Sequence, residues 1–292
     1  MQATPLITAQ ELQDLLKHES ANVLLCDCRH DLVDATLGQR VYAESHLPGA
    51  VFVSVDRQLS APKSGTNGRH PLPARETFAQ TLQNLGVNEN TMIVGYDSTG
   101  GQYAARLWWM SKWVGHSNVR VLDGGMNAWL KAGLPVTTEV PAVRATGDFK
   151  LKPSLTKAVS MQELRAGLTR PDRLIVDARP FDRFQGLNET LDPKAGHIPG
   201  SVSRPTPSNL NPDGSFKDPA ALKSEFTKML GAHQPDQMVA SCGSGIAACH
   251  LLLSMEVAGL TGGALYGGSW SEWSAQPDAP IELGAGQANI QG

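Results

Sequence analysis

No run in this 292-residue chain approaches the ~18 consecutive apolar residues of a membrane span. The opening Met1-Gln2-Ala3-Thr4-Pro5 lacks the basic residues and apolar core of a secretory leader. Cysteine is scarce. Four residues are too few for a disulfide scaffold, and they fit reduced thiols in a cytoplasmic protein. Charge is also modest: 18% of residues are charged, and the net charge is −3. Nothing in that balance supports nucleic acid or an anionic membrane as a partner. What remains is ordinary globular material, 41% hydrophobic, in a chain long enough for two domains.

The chain is written twice. Leu24-Leu25-Cys26-Asp27-Cys28-Arg29 returns as Leu174-Ile175-Val176-Asp177-Ala178-Arg179. Ser45-His46-Leu47-Pro48-Gly49-Ala50-Val51 returns as Gly196-His197-Ile198-Pro199-Gly200-Ser201-Val202. Met92-Ile93-Val94-Gly95-Tyr96-Asp97 matches Met238-Val239-Ala240-Ser241-Cys242, and Val121-Leu122-Asp123-Gly124-Gly125 matches Leu265-Tyr266-Gly267-Gly268-Ser269. The offsets stay between 143 and 151 residues, which implies a duplicated domain of ordinary size. The predicted division is an N-terminal domain over 1–138, a linker over 139–156 and a C-terminal domain over 157–292. Apolar runs at 23–27, 91–96, 119–122, 173–177 and 237–241 suit buried parallel strands, and they alternate with helical patterns. An α/β fold follows, with helices on both faces of a parallel sheet and ligands beyond the carboxyl ends of the strands.

Cys242 stands at such an end. The run Val239-Ala240-Ser241-Cys242-Gly243-Ser244-Gly245 leads from a strand through a tight loop into a helix start. Loop N–H groups and a helix N-terminus facing the sulfur both favour thiolate over thiol. The first copy has Asp97 at this position, so it carries no thiol there. The cluster Cys26-Asp27-Cys28-Arg29-His30 looks like a metal site, but Cys26 and Cys28 share one face of a buried strand and lack further ligands nearby. Asp27/Arg29 and Asp177/Arg179 recur in both copies, which favours a structural role, and Cys249 is read as buried two helical turns past Cys242.

These motifs, doubled in constant order, resemble the tandem rhodanese-domain sulfurtransferases over nearly the whole chain. The resemblance implies two rhodanese-like domains, each a central parallel sheet flanked by helices, with catalysis in the C-terminal copy. The loop Cys242-Gly243-Ser244-Gly245-Ile246-Ala247 is similar to the 3-mercaptopyruvate branch, although Ile246 and Ala247 stand where Val and Thr are common. The thiosulfate branch usually has basic side chains in this loop. By the same resemblance Cys242 is the nucleophile, and Ser244, His70 and Asp56 handle a proton. The loop residues Gly243, Gly245, Ile246 and Ala247 then contact the donor, and Arg183 holds its carboxylate. The branch's second arginine is missing from Thr190-Leu191-Asp192-Pro193-Lys194, so Lys194 or Arg204 is expected to supply the second cation.

The implied reaction moves sulfur from a small-molecule donor, 3-mercaptopyruvate, through a Cys242 persulfide to a small thiol, thioredoxin or cyanide, with no metal or organic cofactor. Thiosulfate:cyanide sulfurtransfer is the near alternative, and a persulfide carrier serving a dedicated partner is the distant one. A cysteine phosphatase is rejected, because the arginine such a loop needs six residues after the cysteine is replaced by Ala248.

Overall fold

A computed structural model describes residues 4–19 and 22–286 of the chain. Met1–Ala3, which open the segment read above as lacking a leader, lie outside the described residues. The chain forms two compact units. The first comprises Met1–Ala61, Pro73–Leu155 and Leu210–Phe216; the second comprises Pro62–Leu72, Thr156–Asn209 and Lys217–Gly292. Each unit therefore includes a short segment drawn from the other half of the sequence.

In the first unit the elements run β1 (Leu6–Ile7), α1 (Ala9–Glu19), β2 (Val23–Asp27), α2 (Leu37–Glu44) and β3 (Val51–Phe52), then α3 (Arg75–Asn84), β4 (Met92–Tyr96), α4 (Ala104–Trp113), β5 (Val119–Leu122) and α5 (Gly125–Lys131). The second unit repeats them as β6 (Lys157–Val159), α6 (Met161–Ala166), β7 (Leu174–Asp177), α7 (Phe181–Gln185) and β8 (Val202–Ser203), then α8 (Pro219–Leu230), β9 (Met238–Ser241), α9 (Ile246–Val257), β10 (Ala264–Tyr266) and α10 (Ser269–Trp273). The sheets have orders β1-β5-β4-β2-β3 and β6-β10-β9-β7-β8, and every pairing is parallel. The α/β architecture expected from the sequence is the one observed. Its five expected strands begin at the expected residue or one later. The short strands β1, β3, β6, β8 and β10 did not stand out, because two or three residues carry no readable period.

The duplication reaches the helix caps. Thr8 and Glu11 exchange backbone-to-side-chain hydrogen bonds of 2.9 and 3.2 Å at the start of α1, and Ser160 and Glu163 do the same at 2.8 and 3.2 Å at the start of α6. Central strands β2, β7 and β9 are buried along their whole length, as their β-branched and aliphatic runs require. In each sheet the order in which successive strands are added reverses between two adjacent parallel strands, β2/β4 and β7/β9. In such sheets the loops leaving the carboxyl ends of those two strands diverge. In the second unit, the residues after β7 and Cys242 after β9 lie at these two ends.

The segment read as a linker has no regular structure, yet it is stitched to the first unit. Gly147 N–H donates to Gln83 O, Phe149 N–H to Val87 O and Lys152 N–H to Val114 O, at 2.8, 3.1 and 3.0 Å. Phe149 is fully buried edge-on to His116. Among the described residues no helix is long and apolar enough to cross a membrane. Phe149→Ala should lower unfolding stability by about 3–5 kcal/mol, the usual result of emptying a buried phenyl site. A urea titration showing less than about 1 kcal/mol would mean that the segment merely lies on the surface.

Candidate active site

Both units turn from a strand into a helix around one buried atom group, and the two turns are filled differently. In the first unit the Asp97 carboxylate accepts N–H groups from Thr99, Gly101, Tyr103 and Ala104 at 2.7–2.9 Å. The turn is thus an anion cradle that the chain fills with its own carboxylate. In the second unit the residue in that place is Cys242. The match is fixed by the hydrogen bonds that follow: Met126 N–H donates to Asp97 O at 2.8 Å, and Trp270 N–H donates to Cys242 O at 2.9 Å.

Cys242 is buried, and Gly245 N–H donates to its Sγ at 3.1 Å. Gly245 caps α9 with φ 82°, a left-handed conformation that lets the chain turn back over the sulfur. The twelve-residue α9 begins at the next residue and adds the positive end of its dipole. That helix is buried because its sequence is apolar on nearly all sides, so its axis is held firmly against the sheet. Cys249 lies one turn into it, buried, with its thiol donating to Gly245 O at 3.1 Å.

Ser269 supports the sulfur from behind. It is the only non-glycine with positive φ among the described residues, at 53°. A side chain in that region costs about 1–2 kcal/mol. Its hydroxyl accepts Cys242 N–H at 3.0 Å, donates to Tyr266 O at 2.9 Å and stands 3.9 Å from Sγ. The sequence reading did not single it out. The signal was the replacement of Gly125 of the first copy, which has φ 56°, by serine.

Ser244 and His70 meet: Ser244 Oγ and His70 Nδ1 are 2.8 Å apart, both buried. His70 comes from the first half of the sequence but belongs by packing to the second unit, through the segment Pro62–Leu72. Arg69 N–H donates to Ser271 Oγ at 3.0 Å, and Gln276 donates to Thr66 O at 3.1 Å, which fixes that segment beside α10. Asp56 belongs to the first unit, where its carboxylate stands 4.0 Å from His30 Nδ1.

Arginines gather over the loop. A Cβ on Gly243 would stand 2.7 Å from Arg69 Nη2, 3.7 Å from Arg183 Nη1 and 3.9 Å from Arg179 Cδ. Arg183 reaches in from α7, and its Nη2 is held by both oxygens of Glu189, at 2.7 and 2.9 Å, and by Asp192 at 3.1 Å. Arg179 is locked to Asp177 by bonds of 2.8–3.1 Å, the structural pairing expected from its recurrence. It also lies 3.6 Å from Glu189. Burial alone would lower its pKa, but Asp177, Glu189 and Cys242 together raise it, so it stays a cation.

Lys194 and Arg204, the two expected second cations, are engaged elsewhere. The Lys194 ammonium donates to Gln276 O and Pro277 O at 2.6 and 3.3 Å, while Arg204 binds Asn209 and Glu225 at 2.7 Å each. Arg69 stands over the loop instead. Sequence reading missed it because its only local signal is that it precedes His70.

Residues 8–132 and 160–276 each match the Rhodanese-like domain family. The chain belongs to that family. It is 41% identical to a Pseudomonas aeruginosa protein named "Probable 3-mercaptopyruvate sulfurtransferase", over 97% of this chain and 100% of that one. It is 34% identical to the thiosulfate sulfurtransferase of Mus musculus, over 84% of each chain. The solved 3-mercaptopyruvate sulfurtransferase from Leishmania major superposes with a TM-score of 0.82 at 28% identity, covering 94% of this chain and 75% of that one. The protein is accordingly a sulfurtransferase with duplicated rhodanese domains.

The cradle around Asp97 gives a direct test of the first unit. Asp97→Asn exchanges a charged acceptor of four N–H groups for an amide that offers two donors to them. We expect a loss of about 2–3 kcal/mol in unfolding stability, in the range for hydrogen bonds to charged groups. A denaturation midpoint matching that of the natural protein would show that the cradle does not depend on the charge.

Proposed function

We propose that the protein takes sulfur from 3-mercaptopyruvate onto Cys242 and passes it to a thiol or to cyanide, releasing pyruvate. The observation that carries this reading is the Ser244–His70 hydrogen bond of 2.8 Å, two residues from the cysteine. In the first step the Cys242 sulfur attacks the donor's sulfur. An S–S bond forms, the donor's C–S bond breaks, and its electron pair leaves on carbon as the enolate of pyruvate. That carbanion needs one proton. Ser244 delivers it and is restored through His70. An acceptor thiolate, from a small thiol or thioredoxin, then attacks the outer sulfur and leaves Cys242 as thiolate. Gly243, Gly245, Ile246 and Ala247 frame the transferred sulfur through their backbone, and Arg183 offers a planar pair of donors to the donor's carboxylate. The reading agrees with the mercaptopyruvate relatives, and also with a loop that carries no basic side chain of its own.

Thiosulfate is the second reading. The guanidiniums of Arg69, Arg179 and Arg183 around Gly243 favour it, since they suit a dianion as well. The two donors differ in one respect that a variant can expose: sulfite leaves as a stable anion and needs no proton.

Incubation with 3-mercaptopyruvate and no acceptor should add one sulfur, about 32 Da, to the peptide holding Cys242. The same adduct surviving in Cys242→Ser, or appearing on Cys249, would reassign the nucleophile.

Ser244→Ala should reduce kcat/KM for 3-mercaptopyruvate by about 10²–10⁴-fold, the usual contribution of a positioned acid, and reduce that for thiosulfate much less. His70→Ala should give the same donor-selective loss and be non-additive with Ser244→Ala. Asp56→Ala tests the orienting role implied for that residue by the same split. Equal losses for both donors would leave Ser244 as a shaping residue only.

A further inference from the structure

Arg69 and Arg183 over Gly243 already hold two carboxylates, Glu189 and Asp192, and the two acids are held differently. Glu189 is part of its loop: its Oε1 accepts N–H from Leu191 and Asp192 at 2.9 and 3.1 Å while it binds Arg183. Asp192 has no such anchor. The partners of its carboxylate are Arg69 Nη1, on Oδ1, and Arg183 Nη2, 3.1 Å from Oδ2. It spans the two guanidiniums as a bound carboxylate ligand would, with its side chain only 2% exposed. Burial pushes its carboxyl up from the usual aspartate range, against the pull of Arg69 and Arg183.

The cluster also has unmet donors. Arg183 Nε and Arg179 Nη1 are buried and make no hydrogen bond. Buried guanidinium N–H groups without acceptors are costly, and an anion entering the cluster can meet them. Formal charge points the same way. Arg69, Arg179 and Arg183 are balanced by Asp177, Glu189 and Asp192. A monoanionic carboxylate entering the cluster keeps that balance only if one resident acid leaves. Asp192 is the one whose departure breaks no contact with its own loop.

We propose that Arg69 and Arg183 together form the clamp for the donor's carboxylate, and that Asp192 occupies this clamp until the donor's carboxylate takes its place. The inference rests on the reading that the donor carries a carboxylate. It makes Arg69 the second cation of the site and Asp192 the residue that sets donor selectivity, because a neutral donor cannot displace it.

The test is protection of Cys242 against iodoacetamide by pyruvate, followed by mass spectrometry of the peptide holding Cys242. The alkylating reagent is neutral, and no sulfur moves. In the natural protein pyruvate should slow alkylation in a saturable way. Arg69→Gln should raise the half-protecting concentration at least 10-fold, as should Arg183→Gln. Asp192→Asn, which removes the competing charge at nearly constant size, should lower it about 10-fold. A half-protecting concentration within twofold of the natural protein's in Arg69→Gln overturns the clamp, whatever Asp192→Asn does and even if that variant does not fold. A folded Asp192→Asn with an unchanged or raised value overturns the displacement, and absence of protection in the natural protein overturns both. Failure of 3-mercaptopyruvate to load Cys242 with sulfur would instead sink the proposed donor and leave the protection result standing.

Discussion

A parallel strand that ends at a helix start presents several N–H groups and a helix dipole to one point, and that point demands negative charge. Both units of this protein are built around meeting that demand. In the first, the Asp97 carboxylate takes four N–H groups and closes the turn on itself. In the second, the group at the same place is the Cys242 sulfur, with Gly245 N–H aimed at it. One substitution in a duplicated turn thus separates a carboxylate that accepts four N–H groups from a sulfur that accepts one.

The surroundings of Cys242 follow from where the sheet reverses. β7 and β9 are neighbours whose following loops part, so Arg179 and Arg183 after β7 come to lie over Gly243 after β9. Arg69 approaches the loop closest, its Nη2 standing 2.7 Å from where a Cβ on Gly243 would lie, so a side chain there would require the Arg69 guanidinium to shift. Ser269 sits beneath the sulfur in a conformation that serine adopts at a cost, held by its bonds to Cys242 N–H and Tyr266 O. The cations above the loop are matched by the acids Asp177, Glu189 and Asp192, which keep them from repelling one another.

Much of this was legible in the chain. Repetition of strand, His-x-Pro-Gly and Gly-Gly motifs at a near-constant offset gave the two α/β units, because buried parallel strands write continuous apolar runs. The place of Cys242 at a strand-to-helix turn was readable for the same reason, whereas Ser244 and His70 were named only through the family resemblance; the two lie 2.8 Å apart. Arg69 was not singled out, for its partners Asp192 and Ser271 lie 123 and 202 residues away in sequence and meet it only because Pro62–Leu72 packs into the second unit. Lys194 and Arg204 looked suitable by proximity along the chain, yet Gln276 O, Pro277 O, Asn209 and Glu225 hold them elsewhere.

The sequence by itself determined the duplicated fold, the placement of a thiol at a strand-to-helix turn in one copy and the loss of that thiol in the other. These are properties of local pattern, and local pattern is read directly from residue order. Only the tertiary structure decided which cations gather over the loop and which acids neutralise them. A long flexible side chain such as arginine can reach several partners, and its choice is made by the burial and charge of groups brought together from distant parts of the chain.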